Sequence, residues 1–148
     1  MIKLPTKVRY GLRAMVALAS HEGKKPVFLK SIAGSQDISR SYLDALFAQL
    51  RSAGLVRSVR GAAGGYSLAR PPEKISVLDV LTVLDGKPAL VDCLDQESAC
   101  DRTSICPTRE VWDSVRDAIE SILTGITLKD LVNRMNEKKA EGAPMYYI

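Results

Sequence analysis

Aromatic side chains are scarce in this sequence, at 5% of residues. That is thin for a β-sandwich or barrel, whose strands favour aromatic and β-branched residues, and it leans the chain toward helices. Histidine is scarcer still, with His21 alone. One imidazole makes general acid–base catalysis hard to assemble. No nucleophile–base pair, metal triad or nucleotide loop is visible either, so an enzyme is the remotest reading. No apolar run reaches the roughly 18 residues a membrane span needs. The opening MIKLPTKVRYGLRAM lacks the apolar stretch and small-residue cleavage site of a signal peptide. The expectation is a soluble, cytoplasmic protein with no membrane partner. Its 148 residues allow one ordinary domain, or one domain with an arm, and exclude a two-domain doubly wound enzyme. With 46% hydrophobic and 26% charged residues, the composition is near the globular average and disorder is not the default.

Charge is unevenly placed. Residues 1–70 carry 12 Lys/Arg against 3 Asp/Glu, whereas residues 71–148 carry 9 against 14. A basic half joined to an acidic half suggests that the first half meets a polyanion. An unevenly charged but merely solvated surface is the plainer alternative.

Hydrophobic periodicity places the elements. From about Thr6 to Ser20, Leu12, Met15, Val16 and Ala19 fall on one helical face, and Thr6 is the candidate N-cap. Residues 29–36 read as a short helix with Leu29, Ile32 and Ala33 inward. Ser39 caps a third helix, Arg40 to Ala53, whose apolar face is Leu43, Leu46, Phe47 and Leu50. Gly54 suits the left-handed position past its end. Leu55–Val59 and Tyr66–Ala69 then read as two strands joined by a glycine-rich turn. Ser76 caps a fourth helix, with Asp79 in its first turn. Residues 85–106 have no period. Pro107 opens a long helix to about Thr124, striped by Val111, Trp112, Val115, Ile119, Ile122 and Leu123. Thr127 caps a last helix, and residues 138–148 read as a mobile tail. The fold class is therefore mainly α with a small β-hairpin. The chain divides into residues 1–72, residues 73–137 and the tail.

Three short helices followed by a hairpin is the order of a winged helix-turn-helix, a DNA-binding design. The third helix presents Ser39, Arg40, Ser41, Tyr42 and Asp44 at or near its N-terminal end, where short polar groups meet base edges and phosphates. A small helical bundle with a hairpin lid is the bland alternative, and the basic surplus coinciding with the motif weighs against it. At the hairpin tip, Arg60 and Gly61 begin a turn whose glycines allow close backbone approach. An arginine on a thin tip can enter a minor groove, or simply be solvated.

Three cysteines, Cys93, Cys100 and Cys106, lie within 14 residues of one another, and there are no others. An odd number in a chain of this kind argues against a disulfide framework. The spacing lacks the close pairs of zinc knuckles and ribbons and the bacterial ferredoxin run. Thiolates are soft ligands suited to iron–sulfur clusters, zinc or copper(I). Metal or cluster binding, metal-free thiol redox chemistry and incidental cysteines all remain open from spacing alone.

Taken together, Lys7-Val8-Arg9-Tyr10-Gly11-Leu12-Arg13-Ala14-Met15, Ile38-Ser39-x-Ser41-Tyr42-Leu43, Leu46-Phe47-x-x-Leu50, Gly54-Leu55-Val56 and Ser58-Val59-Arg60-Gly61-x-x-Gly64-Gly65-Tyr66 resemble the Rrf2 family of bacterial winged-helix regulators. The likeness covers residues 1–135. It implies a homodimer built on the long helix, with Val111, Trp112, Val115, Ile119 and Ile122 at the interface, that reads a double-stranded DNA operator. It assigns the recognition contacts to Ser39, Ser41, Tyr42 and Asp44 and the minor-groove arginine to Arg60 beside Gly61. In cluster-binding members the three cysteines ligate an iron–sulfur cluster, of the 2Fe-2S or 4Fe-4S kind. Two departures stand out. The first cysteine gap is one residue longer than in IscR-like members, and the fourth ligand is missing: Arg109 occupies the position of the histidine ligand of IscR-like members, and Arg9 that of the carboxylate NsrR-like members take from the partner's first helix. A fourth ligand would be Glu110, a nearby aspartate or a small thiol.

The expected function is thus a DNA-binding regulator sensing iron–sulfur, redox or nitric-oxide status through its cysteine loop. A metal-free thiol or metabolite sensor on the same fold, and a cluster-binding protein that does not read DNA, are the alternatives.

Overall fold

A computed structural model describes residues 2–142. Its helices are α1 (Thr6–Ala19), α2 (Leu29–Gln36), α3 (Arg40–Ser52), α4 (Val77–Asp85), α5 (Pro107–Gly125) and α6 (Leu128–Gly142). Strands β1 (Val56–Val59) and β2 (Gly65–Leu68) pair antiparallel from Val56 opposite Leu68 to Val59 opposite Gly65. This is the expected class, mainly α with a two-stranded hairpin.

Local chemistry explains the helix-turn-helix. Asp37 takes the left-handed conformation (φ 53°) at the end of α2. Ile38, only 7% exposed, then drops into the core and donates its N–H to the Ala33 carbonyl at 3.0 Å. Ser39 caps α3, accepting from the Tyr42 N–H at 3.2 Å. Leu43, Leu46, Phe47 and Leu50 are all buried, as the period requires. Gly54, at φ 77°, ends the turn beyond α3, where a side chain would be strained.

Three sequence expectations need correction. Thr6 is the first helical residue of α1 rather than its cap. Pro5 occupies the N-cap, and its carbonyl accepts from the N–H groups of Val8 and Arg9. The inward face of α1 is also broader than one stripe, because α2, α3, α4 and α6 all pack on it. Val8, Ala14 and Leu18 are buried beside Met15 and Ala19, while Leu12 and Val16 are only half-buried. Finally, α6 continues as helix to Gly142, five residues into the segment expected to be a tail. Residues 143–148 lie outside the described residues.

One hydrophobic core joins Met15, Phe47 and Leu50 to Val80, Leu84, Leu128 and Val132, so it runs on past residue 72. It is closed by a short bridge between Ser76 and Thr127. There the Val77 N–H donates to the Ile126 carbonyl and the Leu128 N–H to the Ile75 carbonyl, both at 2.9 Å. Ser76 with Asp79, and Thr127 with Asp130, form reciprocal caps on the two helices that start there. The two Thr127 hydrogen bonds also hold the Asp130 carboxyl below its ordinary pKa.

The hairpin is anchored by a second bridge, in which Val27 and Tyr66 exchange N–H···O bonds of 2.8 and 2.7 Å. Gly65 makes that approach possible. Its φ is 130°, and a Cβ there would stand 2.5 Å from the Val27 carbonyl oxygen. Gly65→Ala should therefore destabilise the fold by about 2–4 kcal/mol, combining backbone strain with lost bridge hydrogen bonds. Gly34→Ala, in open space on α2, should be neutral or stabilising by up to about 1 kcal/mol. Urea unfolding of both variants checks the pair, and equal midpoints would refute the role given to Gly65.

Candidate nucleic-acid interface and cysteine loop

The N-terminal end of α3 is an exposed polar surface. Ser39, Arg40, Ser41 and Asp44 are all exposed there. Ser39 Oγ is engaged, lying 3.0 Å from Ser41 Oγ while it caps the helix. Arg40 and Asp44 face each other at 3.8 Å one turn apart, a solvated pair worth a few tenths of a kcal/mol and easily exchanged for contacts with a ligand. Tyr42 differs from its neighbours. It is half-buried and packs edge-on against Tyr10 of α1, with ring centroids 6.2 Å apart, so its ring also fixes α3 on the body.

The hairpin packs on the C-terminal half of the same helix. Phe47 of α3 meets Tyr66 of β2 in a T-shaped contact at 5.1 Å. The Arg51 guanidinium donates to Ser58 Oγ at 3.3 Å, and that of Arg57 donates across the strands to Ser67 Oγ at 3.2 Å. Those contacts seat the hairpin on α3 and leave its tip clear. Arg60 and Gly61 are exposed there, with Gly61 at φ 105°. The DNA-contact candidates from α3 and from the tip thus belong to one rigidly joined unit.

The cysteine loop is held differently. Cys93 lies half-buried in a single 3-10 turn, Asp92–Leu94, and Cys100 is exposed just after a second turn, Glu97–Ala99. Cys106, half-buried, is the N-cap of α5. Its sulfur sits 3.2 Å from Thr108 Oγ1. That hydroxyl, helped by the Arg109 N–H at the start of the helix, lowers the Cys106 pKa and favours the thiolate. Thr103 Oγ1 donates to the carbonyls of Cys100 at 2.6 Å and Glu97 at 3.0 Å.

Two residues of α5 tie the loop down, and the sequence reading did not find this role. Arg109 Nε and Nη2 both reach the Cys93 carbonyl at 3.4 Å. Arg116 Nη1 reaches the Leu94 carbonyl at 3.4 Å and also pairs with Asp113. The available signal was their spacing of seven, two turns along one helix face. A guanidinium has no acceptor or free lone pair, so Arg109 is a tether here and no ligand.

The three thiols are chemically suited to an iron–sulfur cluster, being soft donors on one loop and free of disulfides. The fold does not gather them: among the described residues no three His, Cys, Asp or Glu side chains come close enough to hold a metal ion.

Along α5 no residue is buried. Val111, Trp112 and Ile122 are 53%, 42% and 62% exposed, with Val115 and Ile119 half-buried. Among the described residues that apolar stripe is only partly covered, by α4 and the cysteine loop, and its Val111, Trp112 and Ile122 remain open. Among the described residues no helix is long and apolar enough to cross a membrane.

Comparison with known proteins agrees with this arrangement. The Rrf2 family model, described as an iron-dependent transcriptional regulator, matches residues 4–134. The HTH-type transcriptional regulator CymR of Bacillus subtilis is 40% identical over 147 residues, covering 99% of this chain and all of that protein. The solved structure of that protein, described as the global cysteine regulator, aligns with a TM-score of 0.75 at 43% identity over 90% of this chain and 98% of the other. The structure of T. potens IscR aligns with a TM-score of 0.75 at 44% identity, covering 99% and 94% of the two chains.

Proposed function

The chain belongs to the Rrf2 family of transcriptional regulators, and on that premise we propose that it binds double-stranded operator DNA as a twofold homodimer. Residues 1–72 supply the reading surface. Ser39, Arg40, Ser41, Tyr42 and Asp44 meet the major groove, with Arg60 and Gly61 at the minor groove. Residues 73–137 supply the sensing loop and the pairing helix. The observation that carries this reading is that α3, whose N-terminal end is exposed and polar, is joined through its C-terminal half to a hairpin with an exposed arginine tip, within the basic half of the chain. Regulation at DNA implies a cytoplasmic setting and no catalytic role.

Arg60→Ala should weaken operator binding by roughly 1–3 kcal/mol. Changes at Ser41 or Asp44 should alter base preference more than non-specific affinity. Unchanged operator affinity of Arg60→Ala across a salt series would show that the wing does not read DNA.

The open part of the stripe on α5 supports an isologous dimer, in which the same patch of each copy seals the other. Light scattering at micromolar concentration should give the mass of two chains for the native protein and of one chain for Ile119→Asp. A native monomer would exclude the arrangement.

For the sensor, Cys93, Cys100 and Cys106 would hold an iron–sulfur cluster, with Glu110, a neighbouring aspartate or a small thiol as fourth ligand. Bound there, the cluster supplies a redox- and nitric-oxide-reactive centre. The chain's own contribution is the loop, whose four acidic residues Asp92, Asp95, Glu97 and Asp101 repel one another and whose backbone is tied to α5 by Arg109 and Arg116. A change in loop order is thereby passed to the pairing helix, a differential-contact route to regulation. A metal-free thiol sensor is the second reading, favoured by the separation of the thiols and the lowered pKa of Cys106. Anaerobic reconstitution with iron and sulfide decides between them. Visible absorption lost on replacing any one cysteine with serine supports the cluster, and colourless protein with three titratable thiols supports the thiol sensor.

A further inference from the structure

Large apolar side chains are left exposed at few places among the described residues. Val111, Trp112 and Ile122 belong to the α5 stripe, Ile105 to the cysteine loop, and Ile2 and Leu4 to the segment before α1. The remaining two are Phe28, 51% exposed, and Val59, 43% exposed. They are distant in sequence, yet the register brings them together. Val59 stands opposite Gly65, and the Val27–Tyr66 bridge runs along the other edge of β2. Phe28, Gly65 and Val59 thus form one row across three strands. The neighbouring row, Val27, Tyr66 and Ser58, faces the body. Val27 and Tyr66 pack against the core, and Ser58 accepts from Arg51 of α3. Side chains alternate across a sheet, so the row of Phe28 and Val59 faces outward. Gly65 has no side chain, and the two apolar groups flank a strip of bare backbone. The residue after Val59 is Arg60, at the hairpin tip.

Phe28 is poorly suited to its own backbone position. It is the N-cap of α2 and makes no side-chain cap. Serine, threonine, aspartate or asparagine there would satisfy a free N–H of the helix. Its exposed ring also gains little burial within the chain. Folding therefore does not account for this side chain, whereas an external partner would. The surrounding charge selects that partner. Residues 23–36 and 45–72, which supply this face, contain seven Lys or Arg and no Asp or Glu. A cationic surround with an apolar pair at its centre suits a polyanion that has an apolar face. In DNA that face is the deoxyribose, which walls the minor groove below the phosphates.

We propose that Phe28 and Val59 pack on the deoxyribose wall of the minor groove that Arg60 enters, one on each side of the Gly65 backbone. This rests on the DNA-binding reading given above. Arg60 supplies the charge, and the pair supplies an apolar contact with sugar. Sugar contacts position a protein on the duplex without reading base edges. They release no counterions, so their strength does not follow the salt concentration. Minor-groove proteins join apolar side chains to basic ones in this way. α2 begins at the residue after Phe28 and ends in the turn before α3. A sugar contact at Phe28 therefore also steadies the helix that aims α3.

The test uses the full chain and a duplex selected from random sequence by the native protein. Phe28→Ser should lower affinity roughly fivefold or more at every salt concentration and leave the salt slope unchanged. Arg60→Ala should lower affinity and reduce the slope by about 1. Phe28→Leu keeps an apolar group and should stay within about twofold of the native protein. Serine can cap α2, so the urea midpoint of Phe28→Ser should equal or exceed the native one. Hydroxyl-radical footprinting reads the sugars directly. Phe28→Ser should expose sugars beside those that Arg60→Ala exposes and leave the rest of the footprint in place. The proposal is overturned if Phe28→Ser binds and protects as the native chain does, lowers the salt slope or lowers the urea midpoint. It is overturned equally if Phe28→Leu loses as much affinity as Phe28→Ser. A smaller mass for Phe28→Ser than for the native chain in light scattering would also overturn it, since a second copy would then cover the pair. In all of these cases Arg60→Ala still weakens binding. A native chain that selects no duplex, or an Arg60→Ala variant that binds and protects unchanged, would instead remove the DNA-binding reading of the hairpin, and this proposal with it.

Discussion

Everything after residue 75 hangs on the bridge between Ser76 and Thr127. Two backbone hydrogen bonds and two reciprocal caps meet there, flanked by Ile75 and Leu128, neither of which is exposed at all. Beyond α4, residues 86–126 therefore form an excursion that leaves the body and returns beside the start of α4. Closing so long a loop carries an entropic cost that grows only slowly with its length, so a small, dry, well-capped junction suffices to hold it. The cost falls on the junction, which explains why both helix starts there carry a full cap.

That closure separates the molecule's tasks without splitting its core. α4 and α6, at the two ends of the excursion, pack on α1 and complete the body that carries α3 and the hairpin. α5 and the cysteine loop occupy the middle, and α5 buries none of its own residues. A helix whose apolar stripe is left largely open among the described residues is costly to leave in water at roughly 25 cal/mol per Å² of apolar surface. The pairing with a second copy proposed above would relieve that cost, and it would set the distance between two DNA-reading bodies so as to match half-sites on one duplex.

The body was legible in the sequence because its elements obey local rules. The buried set of α3, the Ser39 cap, Gly54 beyond the helix and the short α2 all follow from period and cap chemistry acting over a few residues. Reading failed where the deciding partner is distant in sequence. The inward face of α1 is widened by α4 and α6, which no window around residues 6–20 reveals. Pro5 displaced Thr6 as the cap because its carbonyl already supplied the first helical acceptor. α6 outran the expected tail: Lys138 and Lys139 read as the start of a solvated arm, yet both are good helix formers and extend a helix already seated on α1. In the candidate site, the positions of Ser39, Arg40, Ser41, Asp44 and Arg60 were legible from motif order. The engagement of Tyr42 with Tyr10, and the ties from Arg109 and Arg116 to the loop carbonyls, are tertiary facts without a local signature.

Arg109 shows how one substitution changes the logic of a loop. A neutral imidazole at that position can share its lone pair with a metal, whereas a guanidinium can only donate hydrogen bonds. It finds acceptors in the backbone, at Cys93 O. Arg116 does the same at Leu94 two turns further on. The loop is thus secured to α5 through its carbonyls, leaving its sulfur atoms out of those ties. Side-chain chemistry at Cys93, Cys100 and Cys106, whether ligation or oxidation, can then proceed without first breaking a thiol-based structural bond. Drawing the three sulfurs together nevertheless has to move the turn that carries Cys93, and with it the carbonyls that the two arginines hold. Any movement of that turn is thereby carried to α5 through those donor–acceptor pairs.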